Sequence, residues 1–243
     1  MSKAPSATPS VTPSVIDDVV AGNRILAQHG VLDGFGHVSA RHPDDAGKYF
    51  LSRSLAPELV TAADIMLHDL DSNALHGDAR KGYLERFIHG EIYKLRPDVQ
   101  SIVHSHSPSV IPFAASSVRL RPIYHMSGFL RGETEVFDIR DHFGCTDMLV
   151  RNSAQGAALA KSLGERGVVL MRGHGFVAVG ASVAEAVYRA MYTETNASLQ
   201  QRAIALGGEV QYLDEEEAKL AEATNRSVLE RPWELWKKNA LDR

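Results

Sequence analysis

The chain of 243 residues is short of several things, and each shortage removes a class of protein. One cysteine, Cys145, excludes an internal disulfide and any thiolate-rich metal site. Lys and Arg total 26 against 30 Asp and Glu, so the basic excess that a nucleic-acid surface needs is missing. No apolar run approaches the roughly 18 residues of a membrane span. The opening stretch, MSKAPSATPSVTPS, is rich in Pro, Ser and Thr and lacks the apolar segment of a signal peptide. The expectation is a disordered tail over residues 1–13 on a cytoplasmic protein, with neither nucleic acid nor membrane as partner.

What remains is 44% hydrophobic, enough for one sizeable core, and it carries 11 histidines. A bound metal would therefore take nitrogen and oxygen ligands. VIDDVVAGNRILAQHG (15–30) has helical spacing and stops at Gly30. GHVSAR and KYFLSR are β-type runs around the turn-rich HPDDAG, and DIMLHDLDSNAL is a strand entering a hairpin turn. Leu84, Ile88, Ile92 and Leu95 predict a helix that ends at Arg96-Pro97. VQSIVHSH is then a strand, followed by a short helix with Ser107 as its N-cap. AQGAALAKSLG reads as a helix and GVVLMRGHGFVAVG as two strands about a tight turn. A long helix then runs to Gly207-Gly208. Residues 210–243 are expected to form a peripheral helical segment. Strands alternating with helices predict one α/β domain over 14–243.

SIVHSHSPSV holds the first chemical signal. His104 and His106 stand two apart, so a strand would aim both rings to one face. His174, between Gly173 and Gly175, could join them from a sharp turn, and three protein ligands are a common catalytic metal set. The residues alone leave this open. H-x-H is a loose pattern, and a lone histidine is more often a surface or hydrogen-bonded core residue. His42, His68 and His142 read as surface histidines. Glu85, one turn before His89 on the expected helix, reads by itself as a solvated charge.

Three ordered segments, GNRILAQHGVLDGFGHVSAR, YLERFIHGEIYKLRPDVQSIVHSHSPSV and GVVLMRGHGFVAVG, together resemble the class II aldolase/adducin family over roughly residues 15–208. The resemblance implies a three-layer α/β/α sandwich on a central mixed, largely antiparallel sheet. It implies one divalent metal ion (Zn, Mn, Co or Fe) held by His104, His106 and His174, with Glu85 as acid/base. It also implies a homotetramer with active sites at subunit interfaces.

The departures from that family bear on substrate. Its sugar-phosphate aldolases cradle phosphate with an Asn, a small Gly-containing loop and a pair of serines. Here the Asn position is His37, the loop is SRSL (52–55) with Leu55 for glycine, and Tyr83-Leu84 replace the serines. A phosphate cradle relies on small residues and free N–H groups, so a sugar phosphate is disfavoured. The replacements suit a flat aromatic carboxylate: His37, Ser52, Arg53, Ser54 and Tyr83 as contacts, with Arg53 a bidentate clamp. The family's catalytic tyrosine aligns with His125 rather than Tyr124. GHVSAR…SRSLAPELV looks like the branch holding 3-hydroxy-2-methylpyridine-4,5-dicarboxylate and 3,4-dihydroxyphthalate decarboxylases. The implied activity is non-oxidative decarboxylation of a hydroxylated aromatic or pyridine (di)carboxylate. Its alternatives are a metal-dependent aldolase or epimerase on a non-phosphorylated hydroxy-carbonyl compound, and a non-catalytic adducin-like module.

Overall fold

A computed structural model of the chain describes residues 11–242. Its strands are β1 (His37–His42), β2 (Asp45–Ser52), β3 (Ile65–Asp69), β4 (Ser101–Ser105), β5 (Val136–Phe137), β6 (Val168–Met171) and β7 (Gly175–Gly180). They form one sheet in the order β3-β2-β1-β4-β7-β6-β5. Only β5 and β6 run parallel; all other neighbours are antiparallel. The helices are α1 (Val11–Gln28), α2 (Phe87–Leu95), α3 (Ile111–Ala114), α4 (Arg140–Phe143), α5 (Ser153–Leu163), α6 (Val183–Ala205), α7 (Glu215–Ser227) and α8 (Glu230–Leu241).

Alternation along the strands sorts side chains to two faces. Val38, Ala40, Val103, Phe176 and Ala178 join one core with α1, α6 and α8, through residues such as Leu26, Val187 and Trp236. Ile102, Val177 and Val179 join a second core with Ile88 and Ile92 of α2 and Leu159 of α5. Helices on both faces of a mixed sheet make the expected α/β/α sandwich. Among the described residues, no helix is long and apolar enough to cross a membrane.

Several expectations need correction. The anticipated tail 1–13 falls largely outside the described residues, but 11–13 belong to α1. The helix expected from Leu84 starts at Phe87, and Leu84–Arg86 form a turn. Arg86 fixes that turn by donating to the carbonyls of Ser72 and Tyr83, which frees Glu85 to point inward. Ser107 does not cap α3: its hydroxyl bonds the Glu194 carboxylate, and Val110 precedes the helix. The 210–243 segment is helical, yet α8 sends Trp236 and Ala240 into the core beside α1. His68 is buried rather than superficial, because β3 pairs it with Tyr49 of β2, whose ring stacks on it.

Candidate metal centre and adjoining cavity

β1 and β4 place His37 directly opposite His104 on the α2 face of the sheet. His106 follows just beyond the end of β4, and the β6–β7 turn brings in His174. That turn needs glycine: a Cβ on Gly175 would lie 2.0 Å from the Ser105 carbonyl oxygen, so β7 could not approach β4.

The three imidazoles converge through the same atom. His106 Nε2 lies 3.1 Å from His104 Nε2 and 3.0 Å from His174 Nε2. The Nδ1–H of His104 donates to the Phe176 carbonyl, and that of His174 to the Met148 carbonyl. Both inward nitrogens are therefore bare lone pairs, the tautomer a metal ligand requires. Glu85 Oε2 closes the group at 3.4 Å from His104 and 3.5 Å from His174, and all four donor atoms lie within 4.8 Å of one another. Converging lone pairs repel unless a cation or proton sits among them. This donor set, three nitrogens and a carboxylate without thiolate, fits a divalent ion such as Zn²⁺ or Mn²⁺.

Charge in the cluster follows from the same geometry. Burial alone would raise Glu85, but His104 and His174 outweigh it and hold its carboxyl far below the usual range. Burial and the two neighbouring imidazoles push His106 down to about 4, leaving that ring neutral. Burial would lower His174 as well, but Glu85 beside it holds it above the ordinary imidazole value.

The segment between α4 and α5 braces this group from behind. Val150 N–H donates to Glu85 Oε1 at 3.1 Å, while Met148 supplies the carbonyl that orients His174. Met148 sits at φ 69°, a left-handed conformation that costs a non-glycine residue roughly 1–2 kcal/mol. That strain is stored against the site.

Glu85 and His106 also line a cavity of about 490 Å³, walled further by Phe35, His37, Leu55, Tyr83, Leu84 and Ser54. That is room for a single substituted ring, within the roughly 300–1,000 Å³ of small-molecule sites. His37 packs its ring against Tyr83 at 4.5 Å. Tyr83 offers the cavity its ring, because its hydroxyl donates to the Leu55 carbonyl at 2.5 Å. Ser52, expected as a substrate contact, is fully enclosed and braces the Tyr83 hydroxyl at 3.0 Å. Arg53 stands outside the lining, its Nε bonded to Asp64 at 2.7 Å. His125 is exposed on the 125–130 segment and joins neither the cluster nor the cavity within one chain. Phe35, Leu149 and the Met148–Val150 brace escaped sequence reasoning. Only Phe35 left a signal there, an aromatic between two glycines in DGFGH.

The family described as Class II Aldolase and Adducin N-terminal domain matches residues 17–201. The chain belongs to the class II aldolase and adducin family. Within that family it is 41% identical to decarboxylase tropJ of Talaromyces stipitatus, over 89% of this chain and 90% of that one. It is 33% identical to a 3,4-dihydroxyphthalate decarboxylase of Arthrobacter keyseri, over 76% and 77%. Among solved structures, L-fuculose 1-phosphate aldolase from Glaciozyma antarctica PI12 superposes with a TM-score of 0.78 at 23% identity, covering 98% and 93% of the two chains. That likeness extends the class II aldolase fold across the described chain. It leaves the substrate to be argued from the cavity.

Proposed function

We propose that the protein is a divalent-metal-dependent decarboxylase of a hydroxylated aromatic or pyridine carboxylate. The observation that carries this reading is the Glu85–His104–His106–His174 cluster, which opens through Glu85 and His106 onto a ring-sized, largely apolar cavity. The two relatives named as decarboxylases support it. A divalent cation held by His104, His106 and His174 supplies a Lewis acid that draws charge onto a substrate oxygen.

The chain's own residues do the rest. Phe35, Leu55, Leu84 and the Tyr83 ring sandwich an aromatic ring and keep water from it. Glu85, held ionised, takes the proton of the ring hydroxyl beside the departing carboxylate. Glu85 then returns that proton to the ring carbon that bears the carboxylate, giving a dienone. The bond from that carbon to the carboxylate breaks, CO₂ leaves, and the electron pair passes through the ring onto the former hydroxyl oxygen, so a hydroxyarene carboxylate yields the hydroxyarenolate and CO₂ with atoms and charge balanced. Arg53 keeps its terminal N–H groups for a second carboxylate of a dicarboxylate substrate. Assembly into a tetramer, with a second copy of the chain bringing His125 to the cavity mouth, completes the proposal and gives that exposed ring a role.

The test is a panel of hydroxylated benzoates, phthalates and pyridine dicarboxylates with added Mn²⁺ or Zn²⁺. Release of CO₂ is expected from at least one. Release of an aldehyde from hydroxy-carbonyl compounds, with no CO₂ from any of the panel, would replace this reading with an aldolase.

A further inference from the structure

Behind His37 lies a line of polar groups that the chemistry above does not use. His37 Nδ1 is 2.7 Å from His89 Nε2, His89 Nδ1 is 2.6 Å from Ser39 Oγ, and Ser39 Oγ is 2.8 Å from the Tyr93 hydroxyl. All four side chains are buried, none more than 3% exposed. A row of this kind inside an otherwise apolar layer must satisfy its own hydrogens.

Counting those hydrogens fixes the direction. Two neutral imidazoles and two hydroxyls carry four mobile protons, and the row has three hydrogen bonds to fill. The fourth proton is left over on Tyr93, on Ser39 or on His37. On Tyr93 or Ser39 it would lie in the core, where neither hydroxyl has another partner among the described residues. At the other end it would sit on His37 Nε2, in the wall of the cavity. A donor left unmade in the core is the costlier arrangement. So Tyr93 donates to Ser39, Ser39 to His89, and His89 to His37.

We infer that His37 presents its Nε2–H to the cavity as a fixed hydrogen-bond donor, held in that tautomer by His89, Ser39 and Tyr93 as positioning residues. The inference deepens the decarboxylase reading and rests on it for the substrate. His37 cannot take a proton from the substrate; it can only meet an acceptor, a phenolate or carboxylate oxygen. Its ring lies 5.2 Å from that of His104, beside the proposed metal ligands. The oxygen it meets is therefore on the same edge of the substrate ring as the one that gathers charge. This also explains why a sugar phosphate's small polar cradle has no counterpart here: one rigid donor has taken its place.

The direct test is ¹⁵N NMR of histidine-labelled, zinc-loaded protein, with His37 assigned by its loss in His37→Asn. The expected spectrum shows a protonated Nε2 and an unprotonated Nδ1 at His37. A protonated Nδ1 would overturn the inference. That experiment needs no substrate, so a panel yielding no CO₂ would remove the decarboxylase and leave this assignment standing. In the enzyme assay, His89→Leu should lower kcat at least tenfold with KM within threefold. His89→Gln, whose amide can still donate to His37, should recover at least a third of the wild-type kcat. Equal losses in both variants, with both folded and loaded with metal, would contradict the positioning role.

Discussion

The two faces of the β1–β4 strand pair make opposite use of the same backbone. On the α1 side, Val38 and Val103 face each other in a fully buried apolar layer. One residue along, on the α2 side, His37 faces His104, with Ser39 and His89 behind. The first face gains stability by removing carbon from water, each large buried side chain contributing about 1.5–3 kcal/mol. The second face gives that up. It buries imidazoles, and burial holds His37 and His89 well below their ordinary value. The strand period of two lets one ribbon be a foundation above and a reactive surface below, so the site is as rigid as the core that backs it.

That contrast can be broken from either side, and the site side gives the largest effect. His104→Ala should abolish stoichiometric binding of Zn²⁺ or Mn²⁺ and lower turnover by roughly a thousandfold, since a metal supplies several kcal/mol to the transition state. Metal analysis together with CO₂ release checks both. Glu85→Gln should keep its metal and lose about a hundredfold or more in kcat, the usual worth of a positioned acid/base. A fully active Glu85→Gln variant would end its assignment as proton carrier.

On the foundation side, Leu26→Ala at a fully buried position should cost about 2–5 kcal/mol in denaturant unfolding. Metal content and kcat of the folded fraction should stay at wild-type levels. Acid should probe the α2 face. Burial pushes His68 down to about 4, and His37 and His89 are lowered in the same direction. Unfolded, such rings titrate near 6.5, so between about pH 6.5 and 4 the unfolded chain binds more protons. Stability is then fully present above pH 6.5 and lost as pH falls, about 3 kcal/mol from His68 alone. Urea midpoints measured across that window for wild type and His68→Phe should lie closest at neutral pH and diverge most at pH 4.5, where only the wild type has lost this contribution. The smallest effect is expected at Arg53: its half-exposed pair with Asp64 contributes under about 1 kcal/mol to folding. Arg53→Met should instead raise KM, roughly tenfold for dicarboxylates and little for monocarboxylates.

The sequence disclosed the site where its residue types are unusual for their setting. H-x-H at a strand end and a histidine between two glycines both carried a readable pattern, and resemblance supplied Glu85. Strands alternating with helices gave one α/β domain, and the resemblance implied the three-layer sandwich. What stayed hidden had physical reasons. Val150 and Met148 act through backbone N–H and C=O groups, which leave no mark on residue type. Glu85 was misplaced onto a helix because Leu84 fits the apolar period of α2 although it is half exposed. His68 alternates with Met66 in IMLHD, so its burial against Tyr49 was masked by polarity. The row from His37 to Tyr93 joins positions that are 52 and 54 residues apart across strand and helix, a pairing no local pattern encodes.

A single cation shared by imidazoles from the β4 end and from the β6–β7 turn would be seen at once by anomalous diffraction from a zinc-loaded crystal. One peak per chain is expected, at about 2.0–2.1 Å from Nε2 of His104, His106 and His174. A peak at any other position, or three rings that leave no peak between them, would contradict it.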